Sequence, residues 1–201
     1  MQPDRILHGT CLSGHTHRVQ LFLHLLDLPY TFADSPADVR ASSAFRAMNP
    51  LGQVPVLQDG GVALVDSNAI LVYLAKRYAP GGAWLPADAI GAARVQRWLS
   101  QAAGEIMFGP AAARVSARFY DTGVPPALSQ ALAARVLGLM DGELAAHDWL
   151  AGAAPTIADV ACYSYVAHAP EGGIALDAYP RVLDWIERVR ALPGFVPMPL
   201  E

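Results

Sequence analysis

The chain of 201 residues is poor in charge, with 16% Asp, Glu, Lys and Arg, and it has only two cysteines, Cys11 and Cys162. Two thiols cannot build a disulfide framework or a cysteine-rich metal site. Basic residues are in the minority, 14 against 18 acidic, giving a net charge of -4. A nucleic-acid partner is excluded on that ground, since neutralising phosphates needs a basic face. No apolar run approaches the roughly 20 residues needed to cross a bilayer. The opening Met1-Gln2-Pro3-Asp4-Arg5 lacks the continuous apolar segment of a secretory signal, so the expected compartment is the cytoplasm. His15 and His17 are two apart, with no carboxylate or third nitrogen at a matching spacing, so we expect surface or capping histidines and no metal.

What is present is hydrophobic material, 53% of residues, organised in two regimes. Arg5-Ile6-Leu7-His8-Gly9 reads as a strand ending at glycine. Val19, Phe22, Leu23, Leu25 and Leu26 then form a helical apolar stripe that stops before Pro29. Tyr30-Thr31-Phe32 is a second strand, and residues 36–48 an irregular helical segment. Val54-Pro55-Val56-Leu57 and Val62-Ala63-Leu64-Val65 flank Gln58-Asp59-Gly60-Gly61, which is a hairpin signal. Ser67–Tyr78 follows as a helix, with Ile70, Leu71, Leu74 and Tyr78 on one stripe.

The order βαβαββα predicts a thioredoxin-like α/β domain over 1–78, with a mixed sheet and helices on both faces. Ala79-Pro80-Gly81-Gly82-Ala83-Trp84-Leu85-Pro86 is the expected linker, and 87–201 shows no strand pairs. It reads as an all-α domain, with a helix over 87–108 interrupted at Pro110 and another over 127–147. A helix opens at the capping-box residues Thr156 and Asp159, and a last one spans 180–191 with Val182, Leu183, Ile186 and Val189 inward.

At Asn49-Pro50-Leu51-Gly52-Gln53-Val54-Pro55-Val56-Leu57, followed by the hairpin and Asp66-Ser67, the chain resembles the cytosolic glutathione transferases, and the resemblance extends over essentially its whole length. The serine-type, bacterial-like members are the nearest pattern. Resemblance implies glutathione as co-substrate, no metal, a homodimer and a role in detoxification. It also implies a cis Val54–Pro55 bond that presents the Val54 backbone to the cysteinyl segment of the tripeptide, as an added strand would. Asp66 and Ser67, where a strand passes into a helix, suit the γ-glutamyl ammonium and carboxylate, and both also suit plain helix capping. Arg40 and Gln53 are the candidates for the glycyl carboxylate, Gln53 standing where several members carry lysine.

Ser13 is the implied catalytic hydroxyl, with the same offset from an arginine, Arg18, as in serine-type members. Thr10 and Thr16 are the alternatives; no tyrosine precedes Tyr30, which argues against a tyrosine-type mechanism. Cys11 stands two residues before the active position and is expected to be a buried or half-exposed structural thiol. A glutathione-dependent disulfide reductase or peroxidase is the second reading, and a non-catalytic binding protein of this fold the third. Ser13-Gly14-His15 departs from the Ser-Ser-Cys of the isomerase branch. The electrophile is expected between the domains, with Met107, Phe108 and Ala111 of the helical domain as wall candidates and core packing as their competing role.

Overall fold

The computed structural model describes residues 4–199. Met1, Gln2 and Pro3, on which the leader argument partly rests, lie outside the described residues. The chain divides into two compact units, residues 1–79 with 193–201, and residues 80–192.

The first unit contains strands β1 (Arg5–Gly9), β2 (Thr31–Asp34), β3 (Val56–Asp59) and β4 (Val62–Val65). Its helices are α1 (Gly14–Leu25), α2 (Ala37–Ala41), α3 (Ser43–Met48) and α4 (Ser67–Tyr78). The sheet order is β2-β1-β3-β4, with β1 parallel to β2 and antiparallel to β3. This is a thioredoxin-like mixed sheet. Leu7 and Leu57, paired across β1 and β3, are fully buried at the centre, while β2 and β4 are the exposed edges. The β3–β4 turn has positive φ at both Gly60 and Gly61, a geometry that closes two-residue hairpins and suits glycine. The irregular segment at 36–48 resolves into α2 and α3, separated at Ser42, whose hydroxyl caps α3 through Phe45 N (3.2 Å).

Packing of α1 on α4 buries Val19, Phe22, Leu23, Ile70, Leu71 and Leu74. Leu25 and Leu26 are only half-buried, because the helix is already ending there. Chain from the C-terminal segment completes this unit: Val196 O accepts from His17 Nε2 (2.9 Å), and Met198 is buried. The surface role expected for His17 is therefore corrected, its ring being 1% exposed.

The second unit is helical: α5 (Ala89–Ala103), α6 (Ala112–Arg118), α7 (Pro126–Glu143), α8 (Ile157–Ala167) and α9 (Pro180–Arg190). The helix foreseen over 87–108 is shorter, and a π-helical turn, Met107–Ala111, holds Pro110 before α6 begins. A wider turn accommodates a residue that has no N–H to give. On α9, Trp185 takes the inward position assigned to Leu183, which is 40% exposed. Val182, Trp185, Ile186 and Val189 follow the i, i+3, i+4, i+7 spacing of one helical face, and Leu183 falls off it. No helix among the described residues is long and apolar enough to cross a membrane.

Candidate glutathione site

The strand register determines which ends meet. His8 of β1 pairs with Val56 of β3, and Val56 with Val65 of β4. The C-terminal end of β1, the N-terminal end of β3 and the C-terminal end of β4 therefore lie at the same end of the sheet. Three segments leave from that end: the turn carrying Ser13, the loop carrying Gln53, Val54 and Pro55, and the junction carrying Asp66 and Ser67.

Ser13 is the N-cap of α1. Its Oγ accepts from Thr16 N (3.3 Å), its own N–H donates to Thr10 O (3.1 Å), and it is half-buried. Accepting through a lone pair leaves the hydroxyl proton free to be offered elsewhere, beside the positive end of the helix. Thr16 is fully buried, so that alternative hydroxyl is closed to a ligand. Cys11 is exposed in the turn before Ser13, contrary to the buried or half-exposed position foreseen for it. A turn after a short strand gives it nothing to pack under.

The second segment is held from behind. Asn49 Nδ2 donates to Gln53 O (2.8 Å), Leu51 N to Asn49 Oδ1 (3.2 Å), and Gly52 N to Asn49 O (2.9 Å). Gly52 has φ +64, and a Cβ there would lie 3.2 Å from Arg40 O, so backbone conformation and close approach both require glycine. This contact brings Arg40 beside the Gln53 loop, with Arg40 half-buried and Gln53 exposed. The Val54–Pro55 bond is cis, and Val54 is half-buried ahead of β3.

At the third segment Asp66 has φ +68, unusual for a residue with a side chain, and its Oδ1 caps α4 by accepting from Ala69 N (2.9 Å). Ser67 is buried and does not cap. Its Oγ accepts from Arg18 Nη1 (2.8 Å), which also donates to Asn68 Oδ1 (2.9 Å). His15 Nδ1 lies 3.3 Å from Ser67 Oγ and 3.4 Å from Arg18 Nη1. Burial, and secondly the Arg18 charge, push the His15 pKa down to about 3, so the ring is neutral at ordinary pH. The capping or surface role expected of His15 gives way to this cluster. Arg18, used above only as a marker, and Asn68 are thus residues the sequence reading passed over.

In the second unit Phe108 is 49% exposed and lines an open, largely apolar groove of about 450 Å³ with Glu105, Val124, Leu128 and Leu132. Met107 is also exposed, and Ala111 is buried at 1%, so the three wall candidates do not share one surface. Cys162 is buried in α8, its thiol donating to Trp98 O (3.8 Å).

A thioredoxin-like unit followed by a helical unit, with a cis-proline loop and a serine-capped helix at the same end of the sheet, defines the class. Residues 7–82 match the family model for the glutathione S-transferase N-terminal domain, and residues 127–193 the one for the C-terminal domain. A glutathione S-transferase-like protein of Aspergillus fumigatus is 31% identical, over 88% of this chain and 87% of that protein. Mouse glutathione S-transferase theta-1 is 32% identical, over 76% and 68%. A crystal structure of a Pseudomonas fluorescens glutathione S-transferase superposes with TM-score 0.88 at 30% identity, covering 97% of this chain and 98% of that one. The chain belongs to the glutathione S-transferase family.

Proposed function

We propose that the protein activates the thiol of glutathione as a thiolate and directs it at an electrophilic carbon of a hydrophobic co-substrate. One observation carries this reading: the register sets the segments carrying the Ser13 hydroxyl, the Val54 backbone and the start of α4 at the same end of the sheet. The tripeptide needs those three kinds of group. Val54 N–H and C=O would pair with its cysteinyl backbone, Asp66 and Ser67 would receive its γ-glutamyl ammonium and carboxylate, and Arg40 with Gln53 its glycyl carboxylate. The Drosophila mojavensis transferase homologue, solved with bound glutathione, supports the choice of ligand at 25% identity and TM-score 0.82, over 94% of this chain and 89% of that one.

Chemistry then follows from Ser13. A cysteine-like thiol ionises near pH 8.5, leaving only a few per cent as thiolate at neutral pH. A hydrogen bond to a charged acceptor contributes about 1.5–3 kcal/mol, roughly one to two pKa units. The α1 terminus adds about 0.3–1 kcal/mol. The Ser13 hydroxyl donating to sulfur therefore makes most of the thiol reactive. The sulfur lone pair forms the C–S bond, and a leaving group such as chloride departs with its electron pair. The electrophile's apolar body is assigned to the helical unit, where Met107 and Phe108 are exposed. A cytoplasmic homodimer that needs no metal belongs to the same reading.

Calorimetry should detect uptake of reduced glutathione, and ligand at 100 times its dissociation constant should raise stability by about 2.7 kcal/mol. Ser13→Ala should retain binding, lose about 10- to 100-fold in chloronitrobenzene conjugation at neutral pH, and shift the rate profile towards the free thiol's pKa. Full activity in that variant would remove Ser13 from the mechanism. The exposed Cys11 favours one second reading, disulfide reduction, in which Cys11→Ser would abolish turnover of a small mixed disulfide with glutathione.

A further inference from the structure

Arg18 lies within α1, 1% exposed, and its Nη1 donates to Ser67 Oγ and Asn68 Oδ1 at the start of α4, with His15 Nδ1 at 3.4 Å. A guanidinium only donates, so the bond to Ser67 Oγ fills a serine lone pair and turns the hydroxyl proton away from Arg18. Around that oxygen the other ring within reach is His15, whose Nδ1 stands at 3.3 Å. The Ser67 proton therefore has two destinations, the imidazole nitrogen or a ligand at the head of α4.

A hydroxyl that accepts from a cation donates more strongly, because each bond polarises the next. Beside the Asp66 carboxylate, which suits an ammonium, Arg18 thus makes the Ser67 hydroxyl a donor that prefers a negative partner. Charge reaches the ligand through Ser67 with the guanidinium itself kept out of solvent. We infer that Arg18 is a positioning residue that makes this end of α4 select a carboxylate, here the γ-glutamyl α-carboxylate, over a neutral group of the same shape. The inference rests on the glutathione reading above.

Isothermal calorimetry with two ligands separates the two claims. One is reduced glutathione; the other is its analogue with the γ-glutamyl α-carboxylate replaced by carboxamide. The native protein should prefer glutathione by about 10- to 100-fold, the range of a charge-assisted hydrogen bond. Arg18→Met should weaken glutathione by about that factor and the carboxamide by less than about threefold, collapsing the preference. Arg18→Lys keeps the charge, but its ammonium is more strongly hydrated and sits on a flexible stem without the planar guanidinium that fixes where Nη1 lies. It should lower the preference by about three- to tenfold, and it decides the matter if the Met variant fails to fold. Equal weakening of both ligands, or an unchanged preference in the Lys variant, overturns the role of Arg18 and leaves the glutathione reading standing. No uptake of glutathione by the native protein overturns both.

Discussion

The starts of α4 and α8 are built from the same residue types and finished in opposite ways. At α8, Thr156 and Asp159 form a capping box, and both Asp159 oxygens are used internally. Leu150 N (3.0 Å) and Trp185 Nε1 (2.9 Å) donate to Oδ1, while Thr156 N (2.9 Å) donates to Oδ2. Burial raises the Asp159 carboxyl above the usual range although each of these bonds opposes that shift. At α4, Asp66 is exposed, spends one oxygen on Ala69 N, and stands beside a serine held by an arginine. A closed cap is a structural device; an open one is a docking device that also caps. Satisfaction of donors, more than residue type, separates the two.

The comparison breaks first at Asp159. Asp159→Ala should cost about 3–5 kcal/mol in urea unfolding, because four buried donors, the Thr156 hydroxyl among them, lose their acceptor at once. Any folded fraction should bind glutathione as before. Gly109→Ala tests the same unit through packing alone. Its Cβ would meet Ala133 N at 2.8 Å, backbone that cannot swing aside, and the expected cost is about 1–3 kcal/mol. Asp66→Ala should lose only about 1 kcal/mol of cap stability while weakening glutathione by more than tenfold by calorimetry. Stability loss without loss of affinity there would place α4 with α8 as a purely structural start.

A change of pH acts on the cluster beside α4. Burial and the Arg18 charge lower the His15 pKa from 6.5 to about 3 in the fold. As pH falls between those values the unfolded chain binds the proton first, so stability is lost across that window. His15→Asn should flatten this part of the profile. Melting temperatures of the two proteins between pH 7 and pH 4 should therefore diverge most at the native protein's acidic end.

Local signals in the sequence were faithful where the physics is local. The helix Ser67–Tyr78 is bounded as read, because Asp66 caps it and Ala79-Pro80 ends it. Paired glycines announced the hairpin, and Thr156 with Asp159 announced α8. The π-helical turn escaped notice, since a proline signals interruption without saying how the chain absorbs it. His17 was misread because its partner, Val196, is 179 residues away. Arg18 and Ser67 are 49 apart, and nothing near either residue betrays the bond between them. The candidate site was legible as a set of positions; its wiring was not, because hydrogen bonds across the fold leave no periodicity.

One further consequence attaches to the returning segment that places Val196 on His17 and Gly194 against His24, where an added Cβ would sit 2.6 Å from the His24 carbonyl oxygen. The unit that starts first on the ribosome acquires its last packing partners only after every helix of the other unit has been translated. Synthesis from the N-terminus usually lets the leading domain fold first. Here the order of completion is reversed, and a fragment ending at Ala79 would emerge with one side of its first helix unclothed.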